Sequence, residues 1–220
     1  VALTSLILAM DEVDSTLGHF TSYLKDWSSR SYKEMRLKVP KIFENTEENV
    51  VLKGDIFDSM KNIAVDFAYL DPPYGSNNEK MPPSRVRYAS YYHVWATICK
   101  NDKPPVFGAA LRREDTSDRV AATVFEEFRK DNDGHFIAVK AIEKLIQNVN
   151  AKYVALSYSS GGKATAEELN DILNRHGKLI KTIELDYKKN VMADMKWTNE
   201  WLRDAEEPNR EFIFLIDKQA

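Results

Sequence analysis

A compact apolar run, Asp66-Phe67-Ala68-Tyr69-Leu70, stops abruptly at Asp71-Pro72-Pro73-Tyr74, and no other feature narrows the possible folds of this 220-residue chain so far. A strand with helices over both faces needs no polar alternation, so a short continuous apolar run of this kind predicts a buried strand of a parallel sheet. Two consecutive prolines fix φ and remove the N–H groups that a longer ladder would need. The predicted strand therefore ends in a stiff turn that carries a carboxylate, carbonyl acceptors and an aromatic ring. Open α/β sheets bind their ligands at the carboxyl ends of their strands.

The second half of the chain alternates. Helical spacing covers Phe136 to Val149 and Thr165 to His176, while strand-like runs cover Tyr153 to Ser157, Leu179 to Tyr187 and Glu211 to Ile216. Strands separated by helices predict an α/β fold with crossover connections. Lys188 to Asn209 is polar and contains Pro208, so the last two strands are expected to form an antiparallel hairpin at the sheet edge. Ahead of the apolar run, Val50-Val51-Leu52-Lys53 reads as a short strand closed by Gly54-Asp55, and Ile56 to Ile63 as a short helix.

The first 49 residues read as mainly helical. Leu3, Leu6, Ile7, Met10 and Val13 recur at helical spacing, and Phe20 to Trp27 suggests a second piece after Gly18. The expected division is thus a mainly helical segment over 1–49 and an α/β domain over 50–220. Long polar connections after Tyr74, enclosing an aromatic helix from Tyr88 to Lys100, mark an insertion at about 75–135 of a length that is usually functional.

Composition excludes several classes. A net charge of −3 rules out a uniformly basic nucleic-acid coat, and a single cysteine, Cys99, permits neither an internal disulfide nor a thiolate metal cluster. A reducing, cytoplasmic setting fits. Cys99 is expected to be a small buried hydrophobe and His93 a packing or hydrogen-bonding residue. The four histidines are too scattered to form a ligand set, so no metal is expected. No apolar run is long enough to cross a bilayer, so no membrane partner is expected.

A rigid cluster of acceptors beside an aromatic platform suits a planar amino group, such as the exocyclic amine of a nucleobase. Lys80, Arg85 and Arg87, mixed with Tyr88, Tyr91, Tyr92 and Trp95, are placed to hold a nucleic-acid strand by phosphate contacts and stacking. Lys188 and Lys189 are expected on the opposite lip. Ser157 and Ser159, at the end of another predicted strand, border the same crevice. Arg112 and Arg113 are flanked by Glu114 and Asp115 and read as self-neutralised.

Asp71-Pro72-Pro73-Tyr74 resembles the signature of amino-methylating methyltransferases. The wider wording, Tyr69 to Tyr74 followed by Tyr91-Tyr92-His93-Val94-Trp95, is similar to bacterial adenine-specific DNA methyltransferases of the Dam-like class. The likeness also takes in Val13 to Thr16 and Leu156 to Ser160. It implies a Rossmann-like fold, S-adenosylmethionine as methyl donor, double-stranded DNA as substrate and a flipped adenine as target. It also implies a place in restriction-modification beside a cognate restriction enzyme. Asp71, Pro72, Pro73 and Tyr74 would be catalytic, in a catalytic domain over 50–220 whose insertion at about 75–135 faces DNA; Asp71 would also bind the donor, and Ser157 and Ser159 would contact DNA. Asp55, Ile56 and Phe57 would contact the donor's adenine; the residues alone favour Asp55 as an N-cap and Phe57 as a core residue.

The family's glycine-rich cofactor loop has no counterpart. An amino-terminal portion, with the first sheet strand, is therefore expected to come from upstream sequence or from a neighbouring chain. The alternatives left open are an RNA or protein-amide methyltransferase with the same site, and a DNA-binding remnant without activity.

Overall fold

The computed structural model describes residues 1–16, 18–22, 24–75, 88–117, 123–186 and 210–219. In chain order these form α1 (Ala2–Val13), α2 (Ile56–Ser59), β1 (Ala64–Leu70), α3 (Tyr88–Tyr91), α4 (His93–Lys100), β2 (Val106–Phe107), β3 (Arg112–Arg113), α5 (Ile137–Asn148), β4 (Asn150–Ser159), α6 (Ala166–His176), β5 (Lys178–Asp186) and β6 (Arg210–Asp217). They belong to two compact units. One comprises 1–50 and 88–120, the other 51–87 and 121–220. Residues 88–120 of the expected insertion thus fall with 1–50, and its remaining residues with the second unit.

The second unit is an α/β sheet of order β1-β4-β6-β5. β1 runs parallel to β4, with Phe67 opposite Tyr153 and Leu70 opposite Leu156. β6 is antiparallel to both of its neighbours. The expected antiparallel strand is present, and it lies one place inside the edge: α6 carries the chain from β4 past a gap to β5, and β6 returns into that gap. Three strands of the four thus run the same way, as a mostly parallel methyltransferase-type sheet requires.

Periodicity explains the core. α5 presents Ala138, Ala141, Ile142, Leu145 and Ile146 on one face, and α6 presents Leu169, Ile172 and Leu173. Against them pack Val154, Leu156 and Tyr158 of β4 and Phe212, Phe214 and Ile216 of β6, residues two apart and so on one side of the sheet. α6 begins at a capping box, Thr165 accepting from the Glu168 N–H while the Glu168 carboxylate accepts from the Thr165 N–H.

Three expectations fail here, each for want of a partner or through competition for one. β1 is a parallel strand, but among the described residues it is an edge and not a strand covered on both faces. Ala68 and Leu70 pack on the core while Phe67 and Tyr69 remain more than half exposed. Val50 to Lys53 forms no strand, and Val51 is 92% exposed, because no described strand lies beside it to complete a ladder. Phe20 to Trp27 is not helical where described. Its neighbourhood is held by long-range bonds that replace helical ones: the Phe20 N–H donates to the Tyr91 carbonyl, and Ser28 and Arg30 both donate to the Asp14 carbonyl. No described helix is long and apolar enough to cross a membrane.

The capping box gives a stability prediction. Thr165→Ala should cost the second unit about 1 kcal/mol, read as a lower urea midpoint at unchanged m-value, while Thr165→Ser should stay near wild type.

Candidate active site

The parallel pairing of β1 and β4 brings Asp71, the first residue beyond Leu70, level with Ser157, the first beyond Leu156. Pro72 is buried and Asp71 exposed, so the turn leaves the sheet with its acid outward. Tyr74 then folds back. Its phenol donates to Asp71 Oδ1 at 2.7 Å and lies 2.9 Å from Ser157 Oγ. The other carboxylate oxygen, Oδ2, takes no hydrogen bond among the described residues.

Tyr74 is also held through its backbone. Its carbonyl accepts from the Lys163 N–H at 2.8 Å and from the Tyr158 hydroxyl at 3.0 Å. That hydroxyl in turn accepts from the Ala164 N–H. The two tyrosine rings meet at 5.0 Å between centroids. Two glycines permit this closeness. Gly75 has a left-handed φ of +64°, and a Cβ on Gly162 would stand 2.3 Å from the Tyr158 ring. The stiffness expected of the two prolines is thus reinforced by a clasp from the loop after β4.

Burial pushes the Tyr74 phenol well above the ordinary tyrosine range; the Ser157 hydrogen bond opposes this, and the nearby Asp71 charge adds to it. Tyr74 is a neutral donor at any physiological pH. Its ring is half-buried against the core and not a free platform.

Asp55 is the N-cap of α2, accepting from the Phe57 N–H at 2.8 Å. Phe57 stacks on Phe125 at 5.9 Å and carries the Lys144 ammonium 4.6 Å from its centroid. Those contacts engage the ring expected to form a wall for a purine. Beside it lies a cavity of about 430 Å³ lined by Phe57, Asp58, Met60, Lys61, Lys144 and Asn148. Ile56 is 41% exposed at the same turn.

The expected DNA contacts divide. Lys80, Arg85, Arg87, Lys188 and Lys189 lie outside the described residues. Tyr91, in the first unit, stacks on His19 at 4.5 Å. Ser159 accepts weakly from the Gly161 N–H at the end of β4. Ser157 is only 6% exposed beneath the turn, so its hydroxyl meets Tyr74 and not a solvent-side ligand.

His93 is buried and bonds the Phe20 carbonyl, as expected. Cys99 is exposed in the last turn of α4 and is not the buried hydrophobe expected, because helical spacing alone does not say which face is covered. Arg113 is neutralised by Asp115 and also by Asp102, while Arg112 lies over the Phe107 ring. No metal-binding cluster occurs among the described residues. Sequence reasoning missed Tyr158, Gly162 and Lys163 as the clasp. The Gly161-Gly162 pair just after a strand was the available signal, since it marks a close backbone approach.

The Tyr74 environment predicts a pH response. Because its folded-state pKa is raised, its contribution to stability is complete below about pH 10 and is lost as pH climbs through the folded value. A phenolate absorbance titration of wild type minus Tyr74→Phe should therefore show no Tyr74 step near pH 10.

Comparison with known proteins places this geometry in a family. The description "D12 class N6 adenine-specific DNA methyltransferase" matches residues 1–160. The chain is 29% identical over 171 residues to modification methylase StsI of Streptococcus sanguinis, covering 78% of this chain and 23% of that protein. It is 27% identical over 216 residues to type II methyltransferase M.FokI of Planomicrobium okeanokoites, covering 98% and 30%. It is 25% identical over 188 residues to type II methyltransferase M.NlaIII of Neisseria lactamica, covering 85% and 49%. The chain thus spans between about a quarter and a half of these relatives' length. No solved structure matches it. With the family match extending over most of the chain and across the Asp71 turn, this protein belongs to the D12 class of N6 adenine-specific DNA methyltransferases.

Proposed function

We propose that the chain forms the catalytic part of a bacterial, cytoplasmic modification enzyme that methylates the exocyclic amino nitrogen of adenine in double-stranded DNA. The observation that carries this reading is the Asp71 carboxylate at the mouth of the sheet, with Oδ1 fixed by the Tyr74 phenol and Oδ2 left to accept. Adenine's amino lone pair is delocalised into its ring. An acceptor that takes one of its N–H bonds draws the nitrogen toward tetrahedral geometry and makes it a better nucleophile.

Asp71 Oδ2 and the Pro72 carbonyl have the chemistry for that task. As the nitrogen gains positive charge, a fixed carboxylate and carbonyl stabilise it more than mobile water would. The proton it then sheds passes to Asp71 or to solvent. Inside a stacked duplex the amine is out of reach, so the base must be extruded toward the turn. Lys80, Arg85, Arg87, Tyr91, Lys188 and Lys189 belong to this proposal as contacts to the DNA, and a restriction enzyme reading the same site is the expected genetic partner.

S-adenosylmethionine is the proposed donor, and it would supply a methyl group on sulfonium sulfur. The described residues fit one end of it. Asp55 has a second carboxylate oxygen beyond the one capping α2, suited to an adenine amine, and Ile56 offers exposed apolar surface beside it. Phe57 fits less well, since Phe125 and Lys144 already pack on its ring.

Transfer of labelled methyl from S-adenosylmethionine to duplex DNA, RNA and protein tests the reading. Label should enter duplex DNA at adenine, and Asp71→Ala should cut the rate by roughly 100-fold or more, the scale of losing a fixed charge-stabilising group. Incorporation untouched by Asp71→Ala, or label entering RNA or protein in place of DNA, would sink it. Absence of both donor uptake and transfer would favour a DNA-binding remnant.

A further inference from the structure

β4 contributes a hydroxyl, that of Ser157, which neither the acidic turn nor a DNA surface accounts for. Tyr74 Oη is within hydrogen-bond distance of two oxygens, Asp71 Oδ1 and Ser157 Oγ, and a phenol has one proton to give. An ionised carboxylate can only accept, so the Tyr74 proton goes to Asp71. Ser157 must then be the donor to Tyr74. The direction of the whole chain is fixed: Ser157 O–H to Tyr74 oxygen, Tyr74 O–H to Asp71 Oδ1.

From this we infer that Ser157 is a positioning residue that holds the Asp71 carboxylate through Tyr74. Three features support the assignment. Ser157 is 6% exposed, so its hydroxyl is withdrawn from any groove that a DNA strand could occupy. It stands on β4, the strand paired along β1, so its distance from the turn is set by the ladder and not by loop conformation. Tyr74 is separately pinned by its own carbonyl to Tyr158 and Lys163, which leaves the phenol little freedom except to rotate between partners. Without Ser157 the phenol oxygen loses its donor, and the carboxylate it steadies gains a second rotamer. With it, Oδ1 is occupied and Oδ2 is the oxygen presented to the substrate amine.

The catalytic consequence rests on the proposed methyltransferase function; the hydrogen-bond chain does not, and the test keeps the two apart. In steady-state assays with duplex DNA, Ser157→Ala should lower kcat roughly tenfold, as expected for loss of one hydrogen bond acting on a charged group, with KM for DNA unchanged. Ser157→Thr, which keeps the hydroxyl, should restore it. Ser157→Ala combined with Tyr74→Phe should be no slower than Tyr74→Phe alone, since both cut one chain. A rise in KM for DNA with additive effects would make Ser157 a DNA contact and overturn the inference.

The second readout needs no activity. In the chain alone, with tyrosine labelled with ¹³C at the ring carbon bearing the hydroxyl, the Tyr74 signal should move on Ser157→Ala and on Asp71→Asn alike at neutral pH. A Tyr74 signal indifferent to Ser157→Ala would refute the inference whatever the kinetics. A signal that moves in a protein that methylates nothing would uphold the chain of hydrogen bonds and refute the proposed function.

Discussion

Everything at the candidate site depends on the parallel ladder between β1 and β4. It sets Leu70 against Leu156, and so delivers two chain segments to the same level with their carboxyl ends side by side. One then turns through two prolines and the other runs on to a pair of glycines. A parallel ladder cannot be closed by a tight hairpin, so the intervening residues are free to form other structure. Here that includes α5, which packs its apolar face on the same sheet.

The acid at this junction is unusual in how little of it is buried and how much is fixed. Asp71 is exposed, yet one of its oxygens is held by a half-buried phenol whose own backbone is tied to the β4 loop. This separates two demands that conflict in a single buried carboxylate. Desolvation would raise the acid's energy and favour its neutral form, whereas a fixed orientation is needed if it is to stabilise charge on a substrate nitrogen. Here Tyr74 takes the burial, at no cost in charge because the phenol stays protonated, and Asp71 stays exposed.

The proposed methyl-donor side offers fewer open groups among the described residues. Asp55 and Ile56 stand open at the start of α2, but Phe57 is already engaged between an aromatic ring and an ammonium group, and the exposed flank of β1 carries Phe67 and Tyr69 with no strand beside them among the described residues. The relatives matched are two to four times as long as the part this chain spans. The structure therefore shows the acidic turn with its Tyr74 bond and, of the proposed donor site, the Asp55 cap and exposed Ile56 at the start of α2.

Much of this was legible in the sequence. The alternation of helices and strands, the stop at Asp71-Pro72-Pro73-Tyr74 and the cap at Asp55 are local facts, fixed by side-chain period, by proline's missing N–H and by short-range hydrogen bonding, and each survives in the fold. What tertiary structure alone decided is which groups meet across long separations. Ser157 bonds a phenol 83 residues away and Tyr158 a carbonyl 84 residues away, so neither pairing leaves a trace in any local window. Edge and interior are decided in the same way: the apolar run of β1 shows that it can be buried on both sides, but only the presence or absence of a neighbouring strand settles whether it is, because burial belongs to the assembled sheet and not to the residues that enter it.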